Sequence, residues 1–288
     1  MLGLIDHCIA GQQHLTNGRK KMLNETYKIY FGLGQSLKLI YSPEIFNVSL
    51  AGIRLGHYLL QSASSRIAKS SFLDVGTGSG VHALLMRKLG NNDITATDVC
   101  EKSIAQAKIN EHVNFKGNSI CFSVGDLFDG LPRRQYHTII FNPPGWRTPS
   151  QSLIQRLETP AQTGQLPTRA MFYGDEVISR FLDVLPGYLD PTGVAIVGLN
   201  SLVGIRDVLD RYNQKYNHNP PLTYRLVERH TLPLIHYSTQ WKMLDRDLKN
   251  EFAIWEELDL AAYATDQNGT LYWSYEILEF RIARHDQS

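Results

Sequence analysis

From residue 71 onward the chain alternates between two hydrophobic patterns. Short apolar runs at 71–75, 93–99, 119–124, 136–141 and 193–199 have the length of buried strands. Between them, apolar residues recur every three to four positions, as on one face of a helix. Residues 80–90, with Val81, Leu84, Leu85 and Leu89 on one side, predict such a helix; 101–113, 175–189 and 203–214 predict three more. Runs at 222–229 and 271–284 predict two late strands. Strands and helices in alternation imply an α/β fold with a largely parallel sheet.

The front end reads differently. Residues 27–41 alternate as a hairpin turning at Gly32-Leu33-Gly34, and Ser42-Pro43 predicts a helix start, with serine as cap and proline in the first turn, running to about residue 61. The polar, Ser-rich stretch 61–71 suggests a boundary. The expected organisation is therefore an N-terminal extension over 1–62 and a main domain over 63–288. An insertion at 230–270 contains a helical pattern over 243–263 and a turn at Asn268-Gly269.

Composition narrows the class. With 288 residues, 43% hydrophobic and 20% charged, the chain can bury a large core, and bulk disorder is excluded. Cys8, Cys100 and Cys121 are too scattered for a disulfide scaffold or a zinc module, and the ten histidines have no metal-ligand spacing, so no metal site is expected. No apolar run reaches the length of a membrane span, and the first residues lack a basic, cleavable leader pattern. The expectation is a cytoplasmic protein with no membrane partner. Net charge is +1, with the excess of basic residues confined to 1–70. The Arg19-Lys20-Lys21 run is too short for a nucleic-acid arm. Tyr27, Tyr30, Phe31 and Tyr41, interleaved with Lys28 and Lys38, fit either a base-stacking face or a hairpin packed on the main domain.

The chemistry concentrates where strands end. Asp74-Val-Gly76-Thr77-Gly78-Ser-Gly80 lies between a strand and a helix, where glycines permit a tight turn and close approach of a ligand to the backbone. A dinucleotide fingerprint needs its third glycine at position 81, which is Val81. An acid two residues before the first glycine suits a ligand with an ammonium group. Asp98 ends the second strand, 22 residues after Gly76, where a carboxylate can accept both ribose hydroxyls, with Val99 beside it for an adenine face. Gly125-Asp126-Leu127 follows the third strand and offers an acceptor for an adenine amino group.

Asn142-Pro143-Pro144 follows the fourth strand directly. A planar amide or amino nitrogen delocalises its lone pair and is a poor nucleophile. The Asn142 side-chain oxygen and the Pro143 carbonyl can each accept one of its N–H bonds, aiming the lone pair and supporting the charge that develops.

Taken together, DVGTGSG, the Asp at 98, the Gly-Asp at 125–126 and FNPPGW resemble the amino-methylating branch of class I S-adenosylmethionine-dependent methyltransferases. That branch holds HemK-type glutamine methyltransferases, small-domain rRNA guanine methyltransferases and adenine amino methyltransferases. The resemblance covers about residues 42–229. It implies a Rossmann-like, seven-stranded, mostly parallel sheet with an antiparallel last strand. It also implies S-adenosyl-L-methionine as cofactor, S-adenosyl-L-homocysteine as product, and a methyl acceptor that is a protein, an RNA or a small molecule. Asp74, Gly76, Thr77, Gly78, Gly80, Asp98, Val99, Asp126, Leu127 and Asn142 are the implied cofactor residues; Asn142 and Pro143 are the implied catalytic pair.

Two departures stand out. The family motif carries an aromatic where this chain has Gly145; either Trp146 supplies the stacking face from one position along, or the pocket is widened for a bulkier substrate, with Pro144 and Gly145 in the acceptor site. Upstream, the segment Ser42-Pro43-Glu44-Ile45-Phe46-Asn47 departs from the HemK pattern, with Phe46 as a candidate for the pocket mouth. The rival reading is a non-catalytic, cofactor-binding scaffold protein.

Overall fold

The computed structural model describes residues 26–62, 70–157, 168–236 and 239–283. Cys8, the Arg19-Lys20-Lys21 run and most of the Ser-rich stretch lie outside the described residues. The chain forms two compact units, Met1–Phe141 and Asn142–Ser288.

The first unit opens with the expected hairpin. β1 (Thr26–Gly32) and β2 (Gln35–Ile40) pair antiparallel, with Ile29 opposite Leu37 and Leu33 in the turn at φ 46°. Its apolar face (Ile29, Phe31, Leu37 and Leu39) is buried, which favours packing over base stacking. The outer backbone of β2 is satisfied by asparagines of the second helix of the parallel sheet. Asn110 Oδ1 accepts from Ile40 N at 2.9 Å, and Asn114 Oδ1 accepts from Lys38 N at 2.9 Å. Two side chains thus stand in for a neighbouring strand.

Helix α1 spans Leu50–Ser62 and does not begin at Ser42-Pro43. That dipeptide opens only a turn. The cap is Ser49, whose Oγ accepts from Gly52 N at 3.1 Å, as an N-cap hydroxyl does. Gly56 lets Phe31 press onto this helix, since a Cβ there would meet the Phe31 ring at 2.4 Å.

Four parallel strands follow in the spatial order β5-β4-β3-β6: β3 (Phe72–Val75), β4 (Ile94–Asp98), β5 (Cys121–Val124) and β6 (Tyr136–Phe141). Between them run α2 (Val81–Lys88) and α3 (Glu101–Asn114). The register sets Val75 beside Phe141 and Asp98 beside Val124. All four strands therefore end at one edge, and the chemistry-bearing segments begin where they end.

The second unit contains α4 (Gln151–Leu157), α5 (Gly174–Val184), β7 (Leu189–Asn200) and α6 (Ile205–Lys215). After these come β8 (Leu222–Pro233), α7 (Thr239–Met243), α8 (Asp245–Glu257), β9 (Tyr263–Thr265) and β10 (Leu271–Ile282). β10 lies between β7 and β8, antiparallel to both, and β9 pairs with its start. The helical pattern expected to reach residue 263 stops at Glu257. Asp259 takes φ 56°, and the chain turns into β9, which no strand pattern announced. The architecture is α/β and Rossmann-like, parallel first and antiparallel at its C-terminal strands, with a small two-stranded sheet in front. Among the described residues no helix is long and apolar enough to cross a membrane.

Candidate active site

The glycine-rich loop leaves β3 with Gly76, Gly78 and Gly80 at φ 65°, 55° and 82°, a left-handed run that side-chain-bearing residues avoid. Its shape is locked from below. Asp74 Oδ2 accepts from Thr77 Oγ1 at 2.6 Å and from Ala83 N at 3.2 Å, and Thr77 N donates to Thr97 O at 2.9 Å. Gly80 lets α2 approach α3: a Cβ there would sit 2.9 Å from that of Ala107. Gly78 faces open space.

Asp74 lies within β3, two residues before Gly76. The side chain is 2% exposed, and its Oδ2 is engaged by the loop itself. It is a builder of the loop before it is a partner for an ammonium group. Burial pushes its carboxyl up to about 7, against the lowering effect of the Thr77 and Ala83 hydrogen bonds.

Asp98 reaches across from β4. Its Oδ2 accepts from Gly78 N at 2.8 Å, tying the two loops together, and its Oδ1 accepts from Cys100 N at 2.8 Å. Each oxygen retains capacity for a further donor. Burial raises this carboxyl above the usual range, and both backbone bonds oppose that rise. Val99, next in the chain, is 71% exposed, an apolar surface left open beside a carboxylate. The turn after β5 is joined to the same place, because Gly125 N donates to Asp98 O at 3.0 Å. Gly125 admits no side chain, since a Cβ would lie 2.1 Å from Asp129 O. Asp126 accepts from Asp129 N through its backbone oxygen at 3.0 Å, and Leu127 takes φ 54°. The structure thus brings Gly78, Asp98 and the 125–127 turn into one hydrogen-bonded group.

The Asn142–Gly145 segment is half-buried and opens the second unit. Pro144 O lies where a Cβ on Gly174 would be, at 2.1 Å, so Gly174 permits that approach. Trp146 N donates to Met171 O at 3.0 Å, and Gly174 N donates to Trp146 O at 2.8 Å. Arg147 anchors the downstream end. It donates to Leu260 O and Asp207 at 3.3 Å each and lies 3.6 Å from Asp175, which itself accepts from Thr148 N at 2.7 Å.

Trp146 is not a stacking face. It is 1% exposed and stands among Phe172, Trp241 and Phe252, with ring centroids 5.0–5.3 Å away. Its large apolar ring is worth more in that aromatic core than at a wet surface. Upstream, Phe46 is half-buried and Glu44 pairs with Lys102 at 2.6 Å.

Three residues that the sequence reading passed over surround the Asn142 segment. Asn200, at the end of β7, fills the space a side chain at position 145 would take. Tyr275, on β10, donates its hydroxyl to Asn142 Oδ1 at 2.9 Å. Gly198 makes room for that tyrosine. A lone glycine inside a strand was the available signal, because it marks close approach of another group.

Residues 38–163 match the family model of the methyltransferase small domain. A candidate protein N5-glutamine methyltransferase of Methanocaldococcus jannaschii is 26% identical over 177 residues, 62% of this chain and 83% of that protein. A tRNA adenine-N6 methyltransferase of Vibrio campbellii is 28% identical over 125 residues, 43% of this chain and 50% of that protein. The structure of a T. thermophilus 16S rRNA guanine-N2 methyltransferase, solved with S-adenosylmethionine and guanosine, has a TM-score of 0.51 at 15% identity. The match covers 93% of this chain and 52% of that one, a likeness of fold. This chain spans about half the length of the two RNA-directed proteins.

Proposed function

We propose, from the match of residues 38–163 to the methyltransferase small-domain model, that the chain moves the methyl group of S-adenosylmethionine to a planar amide or amino nitrogen, leaving S-adenosylhomocysteine. The observation that carries the cofactor part is the bond from Gly78 N to Asp98 Oδ2 at 2.8 Å. It sets a carboxylate with spare acceptor capacity beside an open glycine loop and the exposed Val99. Ribose hydroxyls, an adenine face and a backbone approach are what those three groups suit. Asp126 is the acceptor for the adenine amino group in this reading, and Thr77, with Asp74 beneath it, keeps the loop in shape.

S-adenosylmethionine supplies an electrophilic methyl on a sulfonium centre. The chain has to present a nitrogen lone pair to it. Asn142 follows Phe141, the register partner of Val75, so the Asn-Pro-Pro segment leaves the strand next to the one that feeds the glycine loop. Asn142 Oδ1 and the Pro143 carbonyl each accept an N–H of the acceptor, which rotates the lone pair toward the methyl carbon. As the new C–N bond forms, positive charge grows on nitrogen, and the two carbonyl dipoles stabilise it. The nitrogen then loses its proton without a strong base, because methylation has made it acidic. Pro143 keeps its own carbonyl aimed by restricting the backbone.

Among acceptors, the reading favours a glutamine carboxamide in a protein. The relative named for that reaction is matched over most of its own length. Near-neutral charge gives little help toward a nucleic-acid backbone. The test is transfer of labelled methyl from S-adenosylmethionine into separated protein, RNA and small-molecule pools of an extract lacking this protein. Label in the protein pool that disappears with Asn142→Ala supports the reading. Label in RNA instead moves the acceptor to a base amine. No label despite measured cofactor binding overturns catalysis in favour of a cofactor-binding scaffold, the outcome that Gly145 in place of the family aromatic makes worth testing.

A further inference from the structure

Tyr275 occupies an unusual slot. It sits on β10 as the register partner of Asn200 and is buried, yet its ring does not simply fill space. It lies over Gly198 of β7, where a Cβ would fall 1.8 Å from the hydroxyl oxygen and 2.5 Å from Cζ. Any other residue at 198 would push the ring away. Through that gap the hydroxyl donates to Asn142 Oδ1 at 2.9 Å.

A carboxamide has two faces of similar shape and opposite polarity: an oxygen that accepts and an NH2 that donates. If Asn142 is to accept an N–H from the methyl acceptor, its oxygen must point the right way. An amide turned end for end would present a donor to a donor. The Tyr275 hydroxyl removes that freedom. Its hydrogen is buried and needs an acceptor; among the described residues that acceptor is Asn142 Oδ1, so flipping Asn142 would leave it without one. Burial also holds the phenol well above its ordinary range, so it remains a donor at any working pH. One lone pair of Oδ1 takes the tyrosine, and the other stays available.

We propose that Tyr275 is a positioning residue for methyl transfer: it fixes the orientation of the Asn142 carboxamide with the oxygen toward the acceptor, and Gly198 provides the space it needs. This rests on the assignment of Asn142 as the group that orients the acceptor.

Tyr275→Phe keeps the ring and deletes only the hydroxyl; Gly198→Ala displaces the hydroxyl from the other side. Two readouts decide. With labelled S-adenosylmethionine and whichever extract pool the wild type methylates, both variants are expected to lower kcat about tenfold, the worth of one neutral hydrogen bond, with KM for S-adenosylmethionine within twofold. By NMR, the side-chain amide signals of Asn142 are expected to shift or double in Tyr275→Phe while other asparagine signals hold. Wild-type kcat together with unmoved Asn142 signals overturns the proposal, and so does a fall in kcat matched by an equal loss of cofactor affinity, which marks general loosening. If the wild type methylates no pool, it is the proposed function that fails, and the Asn142 signals alone then uphold or overturn the positioning role.

Discussion

Gly145 and Asn200 compete for one volume. A Cβ built on Gly145 would lie 2.7 Å from Asn200 Nδ2 and 3.2 Å from Asn200 Cβ. Asn200 is itself pinned there, because its Oδ1 accepts from Leu202 N at 2.9 Å. The glycine in place of the family aromatic is thus half of a pair, and the other half is an amide that reaches into the same space.

The pair predicts coupled substitutions. Gly145→Ala forces Asn200 to move and should destabilise by about 1–3 kcal/mol, the usual penalty for overpacking. In an Asn200→Ala background the same change should cost much less. Urea unfolding of the four proteins measures the coupling; additive effects would show that the two side-chain sites are independent.

Asp98→Ala removes the carboxylate that joins the two loops. Cofactor affinity should fall at least tenfold by calorimetry, since charge-assisted hydrogen bonds are each worth about 1.5–3 kcal/mol. Affinity equal to wild type would remove Asp98 from the ribose site.

Asn142→Ala should leave S-adenosylmethionine binding within about twofold and lower kcat by about a hundredfold, the scale of losing one preorganised polar contact at a developing charge. Parallel measurement of cofactor Kd and single-turnover rate separates the two. An equal loss in both would make Asn142 a cofactor ligand only.

Two buried groups give opposite pH slopes. His82 donates through Nε2 to Gly52 O at 2.8 Å, and burial lowers its pKa to about 4 from an ordinary 6.5. Between those values the unfolded chain binds the extra proton, so this contribution is full above pH 6.5 and is lost as pH falls to about 4. Asp74 is raised to about 7 from 3.8, so its contribution is full below 3.8 and is lost as pH rises through 7. The two offset each other between about pH 4 and 6.5. Asp74→Asn should therefore lose stability more steeply than wild type on acidification across that window, followed by denaturant midpoint. Parallel curves would show that Asp74 does not titrate there.

Much of this was legible in the sequence. The strand-loop-helix order, the glycine loop, Asp98 and the Asn-Pro-Pro segment are local patterns, and each stands where the periodicity set it. What was missed depends on distant residues meeting. Nothing near Trp146 announces Phe172, Trp241 and Phe252, so a tryptophan beside the motif read as a surface ring when it is core. Ser42-Pro43 carries a strong start signal, yet Ser49 makes the cap bond. Tyr275 is separated from Asn142 by 133 positions, and only the register of β10 against β7 brings it over Gly198.

A planar nitrogen as acceptor is checked by locating the atom that carries the methyl. Product labelled by the wild-type protein would be digested and its modified residue located by mass spectrometry. The expected product is an N-methyl amide on a glutamine, or failing that an N-methyl group on an exocyclic base amine, absent in both cases with Asn142→Ala. A methyl on a lysine amine, a carboxylate oxygen or a ring carbon would contradict it.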